Sequence, residues 1–216
     1  MLNYGDLSVL SFHATKVFNT FEGGAIVSHD AKTKQRIDYL KNFGFAGETR
    51  VVAPGINAKM NEVEAAFGLL QLNYIDQALA ERKVIADNYR QLLEGVSGIT
   101  QIAVPADVTW NYAYFPILVE PEFGINRDAL YEGMKAEGIM TRRYFYPLIT
   151  SFAMYSALPT SSQTNLPVAN EIAAKVLCLP IYPGLAWEDQ QHVVEVIRRA
   201  ALAASNDTVE ISEAAI

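Results

Sequence analysis

The sequence predicts an α/β fold organised in two parts. From residue 99 onward, short apolar strands alternate with amphipathic helices, and this alternation is typical of the α/β class. Two more strands near the start enclose a loop that carries Lys16, and a long helical stretch follows them. We place the boundary on this stretch, which gives a first part at residues 1–75 and a small α/β domain at residues 76–216.

The first part begins with two strands and the loop between them. Residues 7–13 combine alternation with apolar content, which is typical of a buried strand. A second strand at residues 25–28 follows the turn signal Gly23-Gly24. Residues 14–22 are therefore predicted to form the connecting loop.

Helices are predicted for most of the remaining first part. Residues 31–41 have helical character, and residues 44–55 form a loop punctuated by Gly and Pro. A long helical segment runs from about residue 60 to about residue 93, before Gly95 and Gly98. Its apolar stripe has the helical period and consists of Met60, Val63, Phe67, Leu70 and Tyr74.

The small domain continues with strands and helices. Strands are predicted at residues 99–104, 112–119 and 139–146, and an extended segment is predicted at residues 179–183. Helices are predicted at residues 127–137, 168–176 and 187–204, the first of them between an Asn126 cap and Gly138. The chain beyond Ser205 is polar and is expected to fray.

Composition and charge exclude several classes of protein. The 216 residues carry a net charge of −7 without a run of Lys or Arg, so nucleic acid is not an expected partner. No apolar stretch approaches the roughly 20 residues that a membrane span needs, and the start of the sequence lacks the pattern of a secretion signal. We therefore expect a cytoplasmic protein. The single cysteine, Cys178, lies in an apolar run and is expected to be a buried, inert thiol.

The residues most able to carry chemistry follow the first strand. The motif SFHATK at residues 11–16 puts Lys16 just beyond a buried strand, with Ser, His and Thr close by. A lysine amine held in such a place can become a nucleophile, and nearby hydroxyl and backbone N–H groups can hold a phosphate. A surface lysine beside a histidine that lines the core explains the same residues. From this stretch alone, both interpretations stay open.

This motif resembles the active-site signature of the DegT/DnrJ/EryC1/StrS aminotransferases. The likeness covers GDLSVLSFHATK at residues 5–16 and TFEGGA at residues 20–25. These are fold-type I enzymes that use pyridoxal phosphate (PLP) to aminate keto groups of nucleotide-linked deoxysugars. The resemblance implies that Lys16 binds PLP covalently through its amine and that Ser11 contacts the cofactor phosphate. It also makes residues 1–75 the C-terminal part of the large PLP-binding domain.

A second segment, GINAKMNEVEAAFG at residues 55–68, resembles the family's Gly-x-Asn-x-Arg-Met segment. The resemblance implies that Asn57 reaches the PLP phosphate of a neighbouring subunit, which predicts a homodimer with shared active sites. Asn57 is also a typical helix N-cap residue, and a helix N-terminus that binds phosphate can serve both roles. Lys59 stands where the family usually has arginine, so the charge is kept but the planar fork is lost.

Further matches extend the resemblance over nearly all of residues 5–200. They are GIMTRRYFYPL at residues 138–148, LP at residues 166–167 and LPIYP at residues 179–183, all similar to small-domain segments of the family. Besides Lys59, two more positions depart from the family pattern. Phe21 stands where glycine is frequent, and Ile149 stands where many members have a histidine that is expected to contact substrate.

The resemblance also implies that part of the enzyme is encoded upstream of these residues. In the family, the upstream half provides the Asp that pairs with the pyridine nitrogen, a residue stacked on the ring and most strands of the large sheet. PLP acts as an electron sink only when its ring nitrogen is held protonated. Residues 1–216 alone are therefore expected to bind PLP weakly and to show no measurable transamination.

The function implied by the resemblance is amino transfer, with glutamate as donor, to a nucleotide-linked keto-deoxysugar. The motif FHATK resembles most closely the enzymes that aminate dTDP-linked 6-deoxy sugars at carbon 4. Lys16 would hold the cofactor, be displaced by the donor amine and then move the proton.

Two alternatives belong to other classes of protein. One is a PLP-dependent sugar dehydratase, in which a histidine replaces the lysine, so that Lys16 argues against it. The other is a non-catalytic chain that folds or oligomerises without binding PLP productively. No metal site is predicted, because the three histidines lack carboxylate or cysteine companions at ligand spacing.

Overall fold

The computed structural model describes residue 2 and residues 4–213, with side chains as far as residue 203. The chain divides into two compact units, Met1–Gln77 and Ala78–Ile216. Their interpretation as the end of a large domain and a small domain stays a prediction. None of the described helices is both long enough and apolar enough to cross a membrane.

The first unit contains a pair of antiparallel strands followed by helices. Strand β1 (Leu7–Ser11) pairs with β2 (Gly24–Ser28), and this register puts Ser11 opposite Gly24. Helix α1 (Ala31–Leu40) begins at an Asp30 cap, whose carboxylate accepts the Thr33 N–H at 2.8 Å. The structure thus confirms a strand, a loop and a helix here, but the prediction of a buried strand is wrong, because Leu7 and Val9 of β1 are 45% and 76% exposed.

The long helical stretch is broken, so the prediction of one helical segment from residue 60 to residue 93 is wrong. Helix α2 spans Glu62–Gln71 and helix α3 spans Ile75–Leu92. Between them, Asn73 and Tyr74 donate their N–H groups to carbonyls three residues back, at 3.0 Å each. This tighter spacing ends α2, and the apolar stripe gave no sign of it because it continues through the turn.

The second unit is built on a three-stranded antiparallel sheet. Strands β3 (Ile99–Gln101), β4 (Phe115–Val119) and β5 (Val176–Leu179) lie in that order, with β4 in the centre. The remaining α-helices are α4 (Arg127–Ala136), α5 (Pro167–Lys175) and α6 (Trp187–Glu213). Four short 3₁₀ helices are Pro121–Phe123, Ile149–Ser151, Pro159–Ser161 and Gln163–Asn165.

The hydrophobic core among the described residues lies entirely in this second unit. Alternate residues of β4 are buried against side chains from α3, α4 and α6, as the pleat of a strand requires. The core includes Tyr89, Ile117, Leu130, Met134, Leu177 and Ile197. Among the described residues of the first unit, no hydrophobic side chain is buried.

Arg127 is a charged side chain buried within this unit. Its Nη1 donates to the carbonyl oxygens of Ala173 at 3.0 Å and Val176 at 2.9 Å, and its Nε donates to Asp128 at 2.9 Å. These bonds compensate the loss of water around the guanidinium. Arg127 therefore links the start of α4 to the junction between α5 and β5 by hydrogen bonds. The sequence did not predict this role.

Residues 139–146 do not form the predicted strand. Only Arg142 pairs with the sheet, through an isolated bridge to Cys178. The side chain of the next residue, Arg143, contacts α4, where it donates to Asp128 at 2.8 Å and stacks over the Tyr131 ring at 4.3 Å. The hydrogen bond from Arg143 is the main reason why the pKa of the Asp128 carboxyl is lowered.

The other boundaries in the second unit agree with the sequence to within a few residues, except at two places. Strand β5 begins at Val176, directly after α5, whereas extended structure was predicted from residue 179. Helix α6 continues to Glu213 beyond its predicted end at residue 204. The last three residues of the polar tail lie outside the described residues.

The burial of Cys178 leads to a testable prediction. The side chain is 6% exposed, and burial raises the pKa of its thiol to about 11. The thiolate is the reactive form, so the folded chain is expected to release almost no chromophore from Ellman's reagent near pH 8. The same chain in concentrated guanidinium chloride serves as the control and should release one equivalent. Full reaction of the folded chain would contradict a buried, protonated thiol.

Candidate active site

The loop that carries Lys16 is held in shape by backbone hydrogen bonds that continue beyond the ends of β1 and β2. The Phe12 N–H donates to the Gly23 carbonyl at 2.9 Å, and the Ala14 N–H donates to the Phe21 carbonyl at 2.7 Å. The two sides of the loop are therefore paired, although its residues do not belong to either strand.

Thr20 is the buried residue of this loop. It is 2% exposed, its N–H donates to the Phe12 carbonyl at 2.9 Å, and its hydroxyl donates to the Glu22 carbonyl. A Cβ atom added to Gly68 of α2 would lie 2.8 Å from the Thr20 methyl group. Gly68 thus allows α2 to pack directly against the loop.

Both backbone polar groups of Lys16 are bonded within the loop. Its N–H donates to the His13 carbonyl at 2.9 Å, and its carbonyl accepts from Nδ2 of Asn19 at 3.2 Å. The side chain is half-buried, and its ammonium has no hydrogen bond or ion pair within the described part of the chain. The backbone is therefore fixed while the amine stays available to a ligand.

His13 is also oriented by the loop. Its Nδ1 accepts the Thr15 N–H at 3.2 Å and lies 2.9 Å from the Thr15 hydroxyl. Because Nδ1 is an acceptor, the neutral ring carries its proton on Nε2. That nitrogen lies 3.7 Å from a Glu22 carboxylate oxygen, in an exposed pair that contributes little to stability.

Ser11 lies at the end of β1, opposite Gly24, and is exposed. Its Oγ accepts a long hydrogen bond of 3.4 Å from the His13 N–H, so the hydroxyl proton stays free to be donated. A Cβ atom on Gly24 would lie 2.5 Å from the Leu10 carbonyl oxygen. Only glycine therefore lets β2 approach β1 this closely beside Ser11.

Asn57 lies on a different segment of the first unit. Backbone bonds from Phe43 N–H to the Ile56 carbonyl (3.0 Å) and from Ala58 N–H to the Lys41 carbonyl (2.9 Å) hold its neighbours. Its side chain is exposed and has no hydrogen bond within the described residues. Asn57 is not a helix cap, because Asn61 caps α2 by accepting the Glu64 N–H at 2.9 Å.

Lys59 and Phe21, at two departures from the family pattern, have specific contacts. Nζ of Lys59 donates to Asn42 Oδ1 at 2.9 Å and lies 4.6 Å from the centre of the Phe43 ring. Phe21 has a left-handed backbone, with φ of 67°, and stacks on Phe67 at 4.4 Å. The left-handed backbone explains in physical terms why glycine suits this position.

The structure thus places Ser11 at the end of β1, shortly before the loop that carries Lys16, and places Asn57 on a separate segment. No hydrogen bond joins Asn57 to Lys16 or Ser11 in the described residues. Asn19 and Thr20 hold the loop but had no predicted role. For Asn19 a signal was available, since Asn commonly bonds to nearby backbone in turns.

The arrangement of Ser11, Lys16 and Asn57 agrees with a match to a family of known enzymes along most of the sequence. A model of the DegT/DnrJ/EryC1/StrS aminotransferase family matches residues 2–198. The chain belongs to this family. The aminotransferases of the family use pyridoxal phosphate. Membership confirms the resemblance found in the sequence.

Curated relatives in this family include two sugar transaminases. An Escherichia coli protein named dTDP-4-amino-4,6-dideoxy-D-glucose transaminase is 54% identical over 168 residues, which are 78% of this chain and 45% of that protein. A Shigella dysenteriae protein of the same name is 48% identical over 198 residues, 92% of this chain and 53% of that protein. The chain therefore spans about half the length of the curated relatives it matches.

Solved structures of the family have the same fold. The crystal structure of DesI, determined in the presence of its TDP-sugar product, superposes with a TM-score of 0.86 at 34% sequence identity. The superposition covers 96% of this chain and 53% of DesI. This agreement confirms the predicted α/β fold of a PLP aminotransferase over the part that is shared.

The side chains of the first unit fit the family's cofactor in their chemistry. Lys16 offers an amine without a partner in the described residues, and Ser11 offers a hydroxyl proton. The exposed amide of Asn57 adds a donor for phosphate. Among the described residues, no group of three or more His, Cys, Asp or Glu side chains is arranged to hold a metal ion.

The close approach at Gly24 gives a testable prediction about the loop. Gly24→Ala should push β2 away from β1, because the new methyl group would meet the Leu10 carbonyl. Gly133→Ala is a matched control, since that position in α4 has open space and alanine should stabilise the helix by up to about 1 kcal/mol. Hydrogen exchange followed by mass spectrometry should show faster exchange in β1 and β2 for Gly24→Ala only. Unchanged exchange in that variant would refute the steric argument.

Proposed function

We propose that this chain provides the cofactor-binding lysine and the small domain of a PLP-dependent aminotransferase that acts on a nucleotide-linked keto-deoxysugar. The observation that carries the proposal is the hydrogen bonding of Lys16. Its backbone is bonded on both sides, whereas its ammonium has no partner within the described residues. A lysine amine that has no partner and extends from a fixed backbone is suited to bind a carbonyl cofactor covalently.

Each proposed site residue has one task. Ser11 donates its hydroxyl proton to the cofactor phosphate, and Asn57 donates its amide N–H to the phosphate bound by a neighbouring subunit. Bound PLP supplies an electron sink for the bond broken beside the amine nitrogen. Lys16 would hold the cofactor through its amine, and its free Nζ would take up and deliver the proton during amino transfer.

The names of the relatives support the choice of substrate. Two of them are called dTDP-4-amino-4,6-dideoxy-D-glucose transaminase, at 54% and 48% identity. We therefore propose a dTDP-linked 4-keto-6-deoxyhexose as the acceptor and glutamate as the donor. A relative from Vibrio cholerae at 30% identity is named GDP-perosamine synthase, so another nucleotide is the natural competitor in a specificity assay.

We also propose a homodimer in which each active site draws on both subunits. The unpartnered amide of Asn57 supports this arrangement, because an exposed carboxamide can serve a site on another chain. The exposed apolar side chains of the first unit also support it, since large apolar surface of this kind marks contact with other polypeptide. These include Val9, Ile56, Val63 and Leu69.

The role of Lys16 is best tested in a restored enzyme, made by joining this chain to the part of the E. coli relative that it does not match. Glutamate should change the absorbance of the PLP-loaded enzyme to that of pyridoxamine phosphate. Lys16→His should slow sugar amination by at least about a hundredfold, because the group that moves the proton is replaced. Coupled assays of dTDP-linked and GDP-linked keto-sugars measure both the rate and the specificity.

Lys135→His is the control for this experiment. Lys135 lies on α4 and is exposed, with a long ion pair of 3.9 Å to Glu132. Its replacement should leave the rate unchanged. If Lys16→His aminates as fast as the control, Lys16 is not the catalytic lysine. If the restored enzyme folds but takes up no PLP at Lys16, the non-catalytic alternative is correct.

Shared active sites can be tested by mixing two inactive chains of the restored enzyme. A mixed dimer of Lys16→Ala and Asn57→Ala subunits has one site in which both residues are intact. Random mixing should restore about a quarter of the wild-type sites, since half of the dimers are mixed and each has one intact site. Activity no higher than the mean of the two separate variants would show that Asn57 does not act across the dimer.

A further inference from the structure

The carboxamide of Asn19 bridges two parts of the loop that carries Lys16. Its Nδ2 donates to the Lys16 carbonyl at 3.2 Å, and its Oδ1 accepts the Phe21 N–H at 3.3 Å. The residue is half-buried. One side chain therefore joins the lysine to the left-handed residue on the other side of the loop.

Asn19 completes a set of bonds that leaves Lys16 little backbone freedom. The Lys16 N–H already donates to the His13 carbonyl at 2.9 Å. Without Asn19, the Lys16 carbonyl would have no partner among the bonds of the described residues, and the peptide unit after Lys16 could rotate. A loop that is free to rotate there can also shift at Lys16, which would change the position of the Lys16 Cα and with it the point from which the amine extends.

We infer that Asn19 is a positioning residue for Lys16. It does not touch the reacting atoms and acts only by fixing the backbone from which the lysine side chain extends. The inference rests on the proposed function, in which Lys16 holds the cofactor. Catalytic groups must be held within a fraction of an ångström of their working geometry, and their supporting residues are what hold them.

The two bonds of Asn19 can be separated by substitution. Asn19→Asp keeps an oxygen that can accept the Phe21 N–H, but it presents an oxygen instead of an N–H group to the Lys16 carbonyl. Asn19→Ala removes both bonds. A role in positioning Lys16 predicts that both variants are impaired, whereas a role in the turn at Phe21 predicts that only Asn19→Ala is impaired.

The experiment uses the restored enzyme with three readouts. Incubation with PLP, reduction with borohydride and mass spectrometry give the fraction of Lys16 that carries cofactor. Steady-state kinetics give kcat and KM for the sugar nucleotide, and thermal melting reports the overall stability. In both variants, we expect kcat and the labelled fraction of Lys16 to fall by about tenfold at limiting PLP, with KM and the melting temperature little changed.

Each possible outcome supports or contradicts the role of Asn19 in positioning Lys16. Impairment of Asn19→Asp and Asn19→Ala together, with unchanged KM, supports the inference. Wild-type labelling and kcat in Asn19→Asp overturns it, whatever Asn19→Ala does, and leaves the proposed function standing. A fall in melting temperature that accompanies the loss of activity in both variants also overturns it, because the role of Asn19 is then structural only. If wild-type Lys16 is not labelled, the proposed function fails and the inference fails with it.

Discussion

The geometry of the candidate site depends on the pairing of two chain segments beyond the ends of their strands. Backbone bonds at Phe12 and Ala14 extend the β1–β2 ladder into the loop, and Gly24 permits the close approach that starts it. Three backbone hydrogen bonds cross the loop, from Phe12 to Gly23, from Ala14 to Phe21 and from Thr20 to Phe12. The backbone of Lys16 is held by hydrogen bonds at both its N–H and its carbonyl, whereas its ammonium has no partner in the described residues.

This kind of stabilisation differs from that of the second unit. The second unit has a continuous core around β4, whereas the described first unit has no buried hydrophobic side chain. Val9 and Val63 are 76% and 77% exposed. Each large apolar side chain that moves out of water contributes about 1.5–3 kcal/mol. A surface that covers these residues would therefore stabilise the first unit. Because both a longer chain and a second subunit could cover exposed apolar side chains, both belong to the same proposal.

The sequence predicted most of the fold because local signals and tertiary structure agree over most of its length. Gly23-Gly24, the Asn126 cap and the period of α6 each act within a few residues. The failures have a different cause. The turn at Asn73 lies inside an intact apolar stripe, and within residues 139–146 the Arg143 side chain contacts Asp128, fifteen residues away in the sequence. For the candidate site, the resemblance pointed to Lys16 and Ser11, whose roles stay predictions, but bonds such as that from Asn19 to Lys16 require the folded loop.

Phe21 shows how a residue other than glycine can occupy a left-handed position in the loop that carries Lys16. A left-handed backbone costs a residue other than glycine roughly 1–2 kcal/mol. Phe21 adopts that backbone and stacks on Phe67 at 4.4 Å with 27° between the rings, a contact worth roughly 0.5–1.5 kcal/mol. The two effects are of similar size and opposite sign. The stacked ring therefore offsets the strain of the left-handed backbone, and in this conformation the Phe21 N–H donates to Asn19 at 3.3 Å.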